Sequence, residues 1–321
     1  LRTGDRCPRR HCRGAGQGLT RKKPPRQSFD HWPFAVAVAL LTCIAFLPTL
    51  QGEFVSWDDQ ANFVDNPYYR GLGIEQLKWM WSTFHLGHYV PLSWMTLGAD
   101  YVLWGMNPLG YHATNLVLHA ANAVLVYFVA VRWFAGAQAP TQHRGGSFTN
   151  PHAVGAPLAA LAFAVHPLRV ESVAWITERR DVLSLFFLLV SVWMYWRATE
   201  HPGQYRRRYL LSLAAFAAGL LSKAAVMPLP AVLLALNVYP LRRLGGSAGW
   251  WSGSARRVYA EVAPFAALSL GVAALSLVAL QPGPQLSAAD KAAVSAYSLA
   301  FYIWKTIAPF GLAPLYERPA S

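Results

Sequence analysis

Long apolar runs with little or no charge constrain this chain more than any other feature. Residues 33–50 contain no Asp, Glu, Lys or Arg, and comparable runs cover 110–131, 182–198 and 260–280. A helix that crosses a bilayer needs about 20 apolar residues. Only 13% of all residues are charged, about half of what a soluble domain carries. We therefore predict an integral membrane protein.

Shorter apolar stretches predict further crossings at 154–168, 209–222 and 226–240. The stretch 296–313 is long enough to cross, but it carries Lys305 and Pro309 and could instead lie in the interface. The prediction is an all-α, polytopic membrane helix bundle with about seven to eight spans.

The charges sort the loops between the two sides of the membrane. Segments 1–31, 199–208 and 241–257 are basic and 135–153 is weakly so, whereas 51–109, 169–181 and 281–293 hold ten of the 15 acids. Basic loops stay cytoplasmic. We therefore expect a cytoplasmic N-terminus and a multi-pass inner-membrane protein with residues 51–109 on the periplasmic (or lumenal) side.

The net charge of +13 follows this positive-inside pattern, so we expect membrane lipids and no nucleic acid as partners. The basic tail 1–31 is expected to be disordered, and nucleic-acid binding by it is the alternative. In this tail Cys7, His11 and Cys12 resemble half of a zinc site, but no second half lies nearby in the sequence.

The outer segment 51–109 contains two stretches that predict helices lying on the bilayer. Residues 74–81 have an amphipathic pattern with aromatic side chains suited to the interface. Residues 92–106 are apolar but short, and Asp100 interrupts them. We expect both to form interfacial helices, which together cap the outer surface.

Two adjacent carboxylates, Asp58 and Asp59, follow the first apolar run. Close carboxylates do not both ionise easily, so one pKa rises, as suits a general base. Carboxylate oxygens also suit a divalent cation such as Mg²⁺ or Mn²⁺. The alternative is an ordinary pair of loop acids, or the cap of a short helix that begins near Gln60.

A dense cluster of mixed charge occupies residues 166–181, between two predicted spans. Its arginines could bind a phosphate through paired hydrogen bonds, or its charges could simply neutralise one another. Lys223 lies in the tight turn between two spans, where it either extends to the interface or neutralises a lipid-linked phosphate.

Four polar residues of the span 110–131 share one helical face because they are offset by 3, 7 and 10 positions. They are His112, Asn115, His119 and Asn122. Such residues face the bundle interior or a wet cavity. Those nearest the outer end, His112 and Asn115, could line a site, whereas Asn122 is better suited to hydrogen bonding between helices.

The chain has no glycine-rich loop of the kind that cradles nucleotide phosphates. All of these features lie on the side predicted to be opposite the cytoplasmic nucleotide pool. We therefore expect no nucleotide cofactor and a substrate carried by a lipid.

The ordered motifs of the chain resemble the transmembrane and tetratricopeptide-repeat O-mannosyltransferase family, and among its members the bacterial relatives most. They are Trp57-Asp58-Asp59, Asn66-Pro67, Pro91-Leu92, the run from Gly110 to His119, the run from His166 to Trp175, the run from Glu178 to Leu183, Lys223 with its following prolines, and Lys305 to Tyr316. The resemblance covers about residues 33–317.

This resemblance implies a GT-C glycosyltransferase domain over 32–317 that takes a hexose, such as mannose, from a polyprenyl-phosphate donor with inversion. The acceptor would be a protein or a glycan on the outer side. By the family pattern Asp58 or Asp59 is the catalytic base, with a divalent cation nearby. The donor phosphate would contact Arg169, Arg179 and Lys223, and the site would also be lined by Glu171, His112, Asn115 and Asp181.

Two departures from the family pattern stand out. Val90 occupies a position where relatives carry Arg or His, so one phosphate contact is expected to be absent. The tetratricopeptide repeats do not occur before Ser321, so we expect the chain to be a fragment. The alternative functions are a non-catalytic membrane anchor for a repeat domain, a lipid-linked glycan ligase, or a flippase-like protein.

Overall fold

The helices of the computed structural model follow the apolar runs of the sequence. The structure describes residues 30–137, 151–279 and 287–313. Within these ranges it contains helices and no strand, apart from one isolated bridge between Gly245 and Gly249. The predicted all-α class is confirmed. Nearly all of the tail, including Cys7, His11 and Cys12, lies outside the described residues, as does Tyr316.

Eleven α-helices occupy the described part of the chain. They are α1 (Trp32–Phe46), α2 (Ile74–Ser82), α3 (Pro91–Trp104), α4 (Pro108–Ala137), α5 (Pro151–Ala164), α6 (Arg169–Ala174), α7 (Arg179–Glu200), α8 (Tyr205–Ser222), α9 (Leu229–Val238), α10 (Gly253–Ala279) and α11 (Ala288–Ile307). Short 3₁₀ turns occur at Leu47–Gln51, His85–Gly87, Ile176–Glu178, Pro202–Gln204, Ala224–Val226 and Gly246–Ala248, and a π-helical turn occurs at Gln60–Val64.

Residues with special backbone preferences set several helix ends. Pro91 and Pro108 are the first residues of α3 and α4, where a missing N–H costs nothing. Gly105 ends α3 with a φ of 60°, a conformation that glycine adopts without strain. The Ser287 hydroxyl accepts a hydrogen bond from the Asp290 N–H and so caps α11.

Four helical stretches in the described ranges are long and apolar enough to cross a membrane: Trp32–Gln51, Pro108–Gly136, Ile176–Glu200 and Gly253–Ala279. Val154–Ala164 and Ala224–Val238 are shorter apolar helices. These features confirm a polytopic membrane helix bundle. The predicted total of seven to eight spans stays a prediction, because the remaining helices are shorter, more basic or more polar.

The longest helix, α4, lies at the centre of the bundle and packs against α1, α5 and α7. On α5 the alanines Ala156, Ala160 and Ala164 recur every fourth residue and are fully buried. Small residues at this spacing let two helix backbones approach closely. The helices α7 and α8 pack side by side, and reciprocal hydrogen bonds between Ser191 and Ser212 join them.

The loops predicted for one side of the membrane meet at one end of the bundle. Asp59 of the first loop contacts Thr177, and Lys223 contacts Glu178. At the opposite end, ion pairs join Arg132 to Glu200 and Arg243 to Glu261. The contacts of Asp59 and Lys223 join segment 169–181 to 51–109 and to the turn at Lys223, as the charge pattern predicted, whereas the position of 281–293 stays a prediction. Which end faces the cytoplasm stays a prediction.

The outer segment forms the two predicted short helices, α2 and α3. The 14 residues of α3 extend about 21 Å, too short to cross the bilayer. This helix packs on α2, α4 and α8 and buries Asp100.

The imidazole Nε2 of His166 lies 3.0 Å from the Thr306 carbonyl oxygen, so the C-terminal part of α11 also lies at this end of the bundle.

Replacing one alanine of the α5 stripe should destabilise the bundle. In Ala160→Leu the larger side chain enters a fully buried, packed position, and overpacking of this kind costs about 1–3 kcal/mol. The matched control is Ala159→Leu, because this substitution adds the same atoms at a neighbouring position that is exposed. Thermal unfolding in detergent should give a lower midpoint for Ala160→Leu only. Equal midpoints for the two variants would contradict close packing along this stripe.

Candidate functional site

Asp59 joins the first outer loop to the segment that precedes α7. Its side chain is fully buried. Oδ1 accepts hydrogen bonds from the Thr177 N–H at 3.0 Å and the Thr177 hydroxyl at 2.5 Å, and Oδ2 accepts one from the Val55 N–H at 3.0 Å. Burial raises the pKa of Asp59, and the hydrogen bonds from Thr177 and Val55 oppose that change. Both carboxylate oxygens are therefore occupied by donors of the protein.

Asp58 has a different environment from its neighbour. It is half-buried, and no hydrogen bond or ion pair engages its carboxylate within the described ranges. The expectation that one pKa of the pair rises is met at Asp59, but the cause is burial and not repulsion by Asp58. A short helix does begin at Gln60, and Asp59 precedes it without making a side-chain capping bond. Of the two carboxylates, only that of Asp58 is open to a ligand.

Arg179, predicted to contact a donor phosphate, is held inside the bundle. Its side chain has no accessible surface. Nη2 donates to Asp100 Oδ2 at 2.6 Å and to the Tyr111 carbonyl at 2.8 Å, and Nε donates to Asn115 Oδ1. Asn115 in turn donates to the Trp175 carbonyl at 3.3 Å. The structure therefore places Arg179 and Asn115 in the framework beneath the site.

The partly exposed charges of the predicted cluster form a connected set around Glu178. Its Oε2 lies 2.7 Å from Lys223 Nζ, and its Oε1 lies 2.7 Å from Arg180 Nη2. Lys223 also contacts Asp181 Oδ1 at 2.5 Å, and Ser172 donates to the other oxygen of Asp181 at 3.1 Å. Two cations are thus held beside each other with part of their surface exposed. We call Glu178, Arg180, Asp181 and Lys223 the charged cluster.

His88 connects Asp58 with the charged cluster. Burial lowers the pKa of His88, the positive charges of Arg180 and Lys223 lower it further, and the negative charges of Glu178 and Asp58 oppose them. All four groups therefore act on one imidazole. The free carboxylate of Asp58 and the two cations share one neighbourhood at the end of the bundle.

The lateral helix α3 fixes two parts of this site. Near its start, the Ser93 hydroxyl donates to the Ser222 carbonyl at 2.9 Å, directly before Lys223. Near its end, Asp100 binds Arg179, directly before Arg180. Because both cations of the charged cluster follow residues held by α3, this helix sets their separation.

The remaining predicted residues lie around these groups. Arg169 lies over the Phe163 ring, with 5.6 Å between the guanidinium carbon and the ring centroid. Burial and the negative charges of Glu178 and Asp181 raise the pKa of Glu171. His112 is buried against Gly52. A Cβ atom added at Gly52 would lie only 2.8 Å from His112 Nε2, so the imidazole leaves no room for a side chain there.

The predicted polar face of α4 is confirmed, because all four of its members are buried. His119 Nε2 lies 2.9 Å from the Ala164 carbonyl oxygen, and Asn122 donates to the Val182 carbonyl at 2.8 Å. These are contacts between helices, as expected for Asn122. Neither residue reaches the charged cluster.

A divalent cation at the acid pair fits this arrangement poorly. Both oxygens of Asp59 already accept hydrogen bonds, so the pair does not present two open carboxylates to one ion. In the described part of the chain, no group of three or more His, Cys, Asp or Glu side chains is arranged to hold a metal. Metal dependence stays a prediction.

Three residues of the site were not singled out individually by the sequence: Arg180, Glu178 and His88. Arg180 and Glu178 stood inside the charged stretch, but sequence alone did not distinguish Arg180 from its neighbour Arg179. His88 had no distinguishing pattern in its loop. Asp100, the buried partner of Arg179, was predicted only to interrupt an apolar stretch.

Fold and site together define a multi-pass helical membrane protein with a charged, partly open site at one end of its bundle. Comparison with known proteins confirms the resemblance to the O-mannosyltransferase family. A human protein named Protein O-mannosyl-transferase TMTC1 is 34% identical over 182 residues, 52% of this chain and 18% of that protein. Human Protein O-mannosyl-transferase TMTC4 is 31% identical over 173 residues, 51% of this chain and 23% of that protein.

A third relative is Protein O-mannosyl-transferase F38B6.6 of Caenorhabditis elegans, 28% identical over 162 residues, 47% of this chain and 21% of that protein. The chain thus spans about a fifth of the length of the curated relatives that it matches. No family model and no solved structure matches the chain. The GT-C assignment therefore stays a prediction.

Removing the charge of Asp100 should destabilise the protein strongly. Asp100→Asn keeps the shape of the side chain but leaves the buried Arg179 without its counter-charge. A broken buried pair of this kind costs about 3–5 kcal/mol. The matched control is Glu75→Gln, which breaks the Lys78–Glu75 pair, whose side chains are 66% and 74% exposed. Thermal unfolding should show a much lower midpoint for Asp100→Asn and little change for Glu75→Gln. An equal, small change in both would contradict the structural role of Asp100.

Proposed function

We propose that this chain is the membrane portion of a glycosyltransferase that moves a hexose from a polyprenyl-phosphate donor to a hydroxyl acceptor. The observation that carries the proposal is that Asp59, bound to Thr177, brings the open carboxylate of Asp58 beside Glu178 and its two partly exposed cations, Arg180 and Lys223. The names of the relatives support mannose as the sugar and a protein as the acceptor. The hydroxyl of a Ser or Thr would then be the nucleophile.

Arg180 and Lys223 are the residues that we assign to the donor phosphate. Both are held by Glu178 and are partly exposed, Arg180 by 15% and Lys223 by 27% of its side chain. An arginine can bind two phosphate oxygens at once, and a lysine adds a compact charge. Neither cation has to be ordered at the moment of binding, because the ion pairs already orient them. Arg169 lies on the same side of the bundle and is a further candidate.

Asp58 is the residue that we assign as the base. Its carboxylate removes the proton of the acceptor hydroxyl as that oxygen bonds to C1 of the sugar. The bond between C1 and the phosphate oxygen breaks, and its electron pair remains on the departing polyprenyl phosphate. Arg180 and Lys223 stabilise the negative charge gained by the leaving group. Attack from the side opposite to the phosphate inverts the configuration at C1.

Asp59 and Arg179 act as positioning residues in this proposal. Asp59 fixes Thr177, and Asp100 fixes Arg179. Glu178 lies between these two fixed residues and Arg180 directly follows them, so both occupy defined positions. Neither residue contacts the substrate. A divalent cation has no step in this scheme, and its involvement is tested directly by chelation.

We further propose that the site lies on the periplasmic face of the inner membrane and that the N-terminus is cytoplasmic. The charge pattern of the loops supports this orientation. A donor carried by a lipid suits this side, because nucleotide sugars are confined to the cytoplasm.

Removing the Asp58 carboxylate should abolish transfer. For Asp58→Asn we expect kcat to fall by about 10²–10⁴, the usual contribution of a general base. Sugar transfer is measured in membranes supplied with polyprenyl-phosphate mannose and a Ser/Thr peptide, with and without chelator. Asp65→Asn is the matched control, because Asp65 is an exposed acid of the same loop.

Wild-type rates for Asp58→Asn would overturn its assignment as the base. If the wild-type protein transfers sugar from none of the polyprenyl-phosphate hexoses, the proposed function is overturned. The non-catalytic membrane anchor then remains as the alternative. A loss of activity with chelator that added Mg²⁺ or Mn²⁺ restores would establish the cation.

Removing either cation should weaken donor binding. We expect Arg180→Gln and Lys223→Gln each to raise KM for the donor by about tenfold, the effect of one lost charged hydrogen bond. KM for the peptide should not change. Arg206→Gln is the control, since Arg206 is an exposed arginine at the opposite end of the bundle. An unchanged donor KM in both variants would contradict the phosphate assignment.

A further inference from the structure

Trp57 and Trp175 form a stacked pair at the edge of the site. Their ring centroids lie 5.8 Å apart and their planes differ by 27°. Trp57 comes directly before Asp58, and Trp175 comes three residues before Glu178. Trp57 is 47% exposed although one face is covered by Trp175. A large aromatic surface is therefore presented beside the open carboxylate.

The same carboxylate that joins the two segments also fixes this pair. Asp59 binds the N–H of Val55, two residues before Trp57, and the N–H of Thr177, two residues after Trp175. The Trp175 carbonyl accepts a further hydrogen bond from Asn115. Buried groups thus fix both of the chain segments that carry the stacked tryptophans. A tryptophan that served only as an interfacial anchor would not need such support.

The stack is joined along the chain to both chemical parts of the site. Trp57 directly precedes Asp58, assigned as the base, and Trp175 lies three residues before Glu178, which binds the cations Arg180 and Lys223. In a phosphate-linked sugar, C1 lies between the phosphate and the attacking hydroxyl. The sugar ring must therefore lie between the base and the cations.

We propose that the Trp57–Trp175 pair is the surface on which the hexose ring of the donor packs. This assignment rests on the proposed function. The C–H bonds on one face of a pyranose carry partial positive charge, and the face of an indole carries negative charge. Contact of this kind holds the ring against one side and leaves its hydroxyl groups free for polar partners. The pair thereby distinguishes a donor that carries a sugar from the bare lipid phosphate that remains after transfer.

The test compares equilibrium binding of two probes to the full protein in detergent: polyprenyl-phosphate mannose and polyprenyl phosphate without sugar. For Trp57→Leu we expect the dissociation constant of the mannose donor to rise about tenfold, since an aromatic contact is lost, with no change for the bare phosphate. Trp57→Phe should retain most of the affinity. Trp81→Leu is the matched control, because Trp81 is 43% exposed on the outer helix α2.

Two outcomes would overturn this assignment of the Trp57–Trp175 pair. They are an unchanged donor affinity in Trp57→Leu and a parallel loss of affinity for both probes. Binding is measured without turnover. Failure of the wild-type protein to transfer sugar would therefore overturn the proposed function, but the dissociation constants of the two probes could still be compared. A thermal midpoint within the range of Trp81→Leu excludes unfolding as the cause.

Discussion

The ion pair between Arg179 and Asp100 is the interaction on which the site depends. A fully buried guanidinium is tolerated only when its charge and donors meet partners of good geometry. Here α3 and α4 supply partners for Nε and Nη2, whereas Nη1 has none among the described residues, and Arg179 itself begins α7. Three helices must therefore meet at one point, and the chain on either side of Arg179 has little freedom to move.

The residues around this pair are engaged one after another along the chain. Thr177 binds the buried Asp59, and Arg179 binds the buried Asp100. Between and after them, Glu178 and Arg180 meet Lys223 in the partly exposed charged cluster. The buried residues, Glu178 among them, thus fix the framework, while Arg180 and Lys223 are partly exposed to a ligand. A substitution at an inward position would alter the site through geometry, and one at an outward position would alter it through lost contacts.

Much of this arrangement could be predicted from the sequence. Apolar length and loop charge predicted the helices and the gathering of polar motifs at one end, because these depend on local composition. Two choices could not be made: which of Asp58 and Asp59 is open, and which of Arg179 and Arg180 is buried. The chain passes from a 3₁₀ turn into α7 at this point, so helical periodicity does not fix the direction of these side chains. The partner of Arg179 is 79 positions away and leaves no local signal.

The two adjacent aspartates have separate physical tasks, and this separation explains why both belong to one motif. Asp59 is buried and engages three donors, so it can join two chain segments and fix the tryptophan stack. A carboxylate that is fully buried among donors of the protein is out of reach of an acceptor hydroxyl. The contacts of Asp59 hold the loop that carries the open carboxylate of Asp58. The proposed catalysis by Asp58 therefore depends on the burial of Asp59.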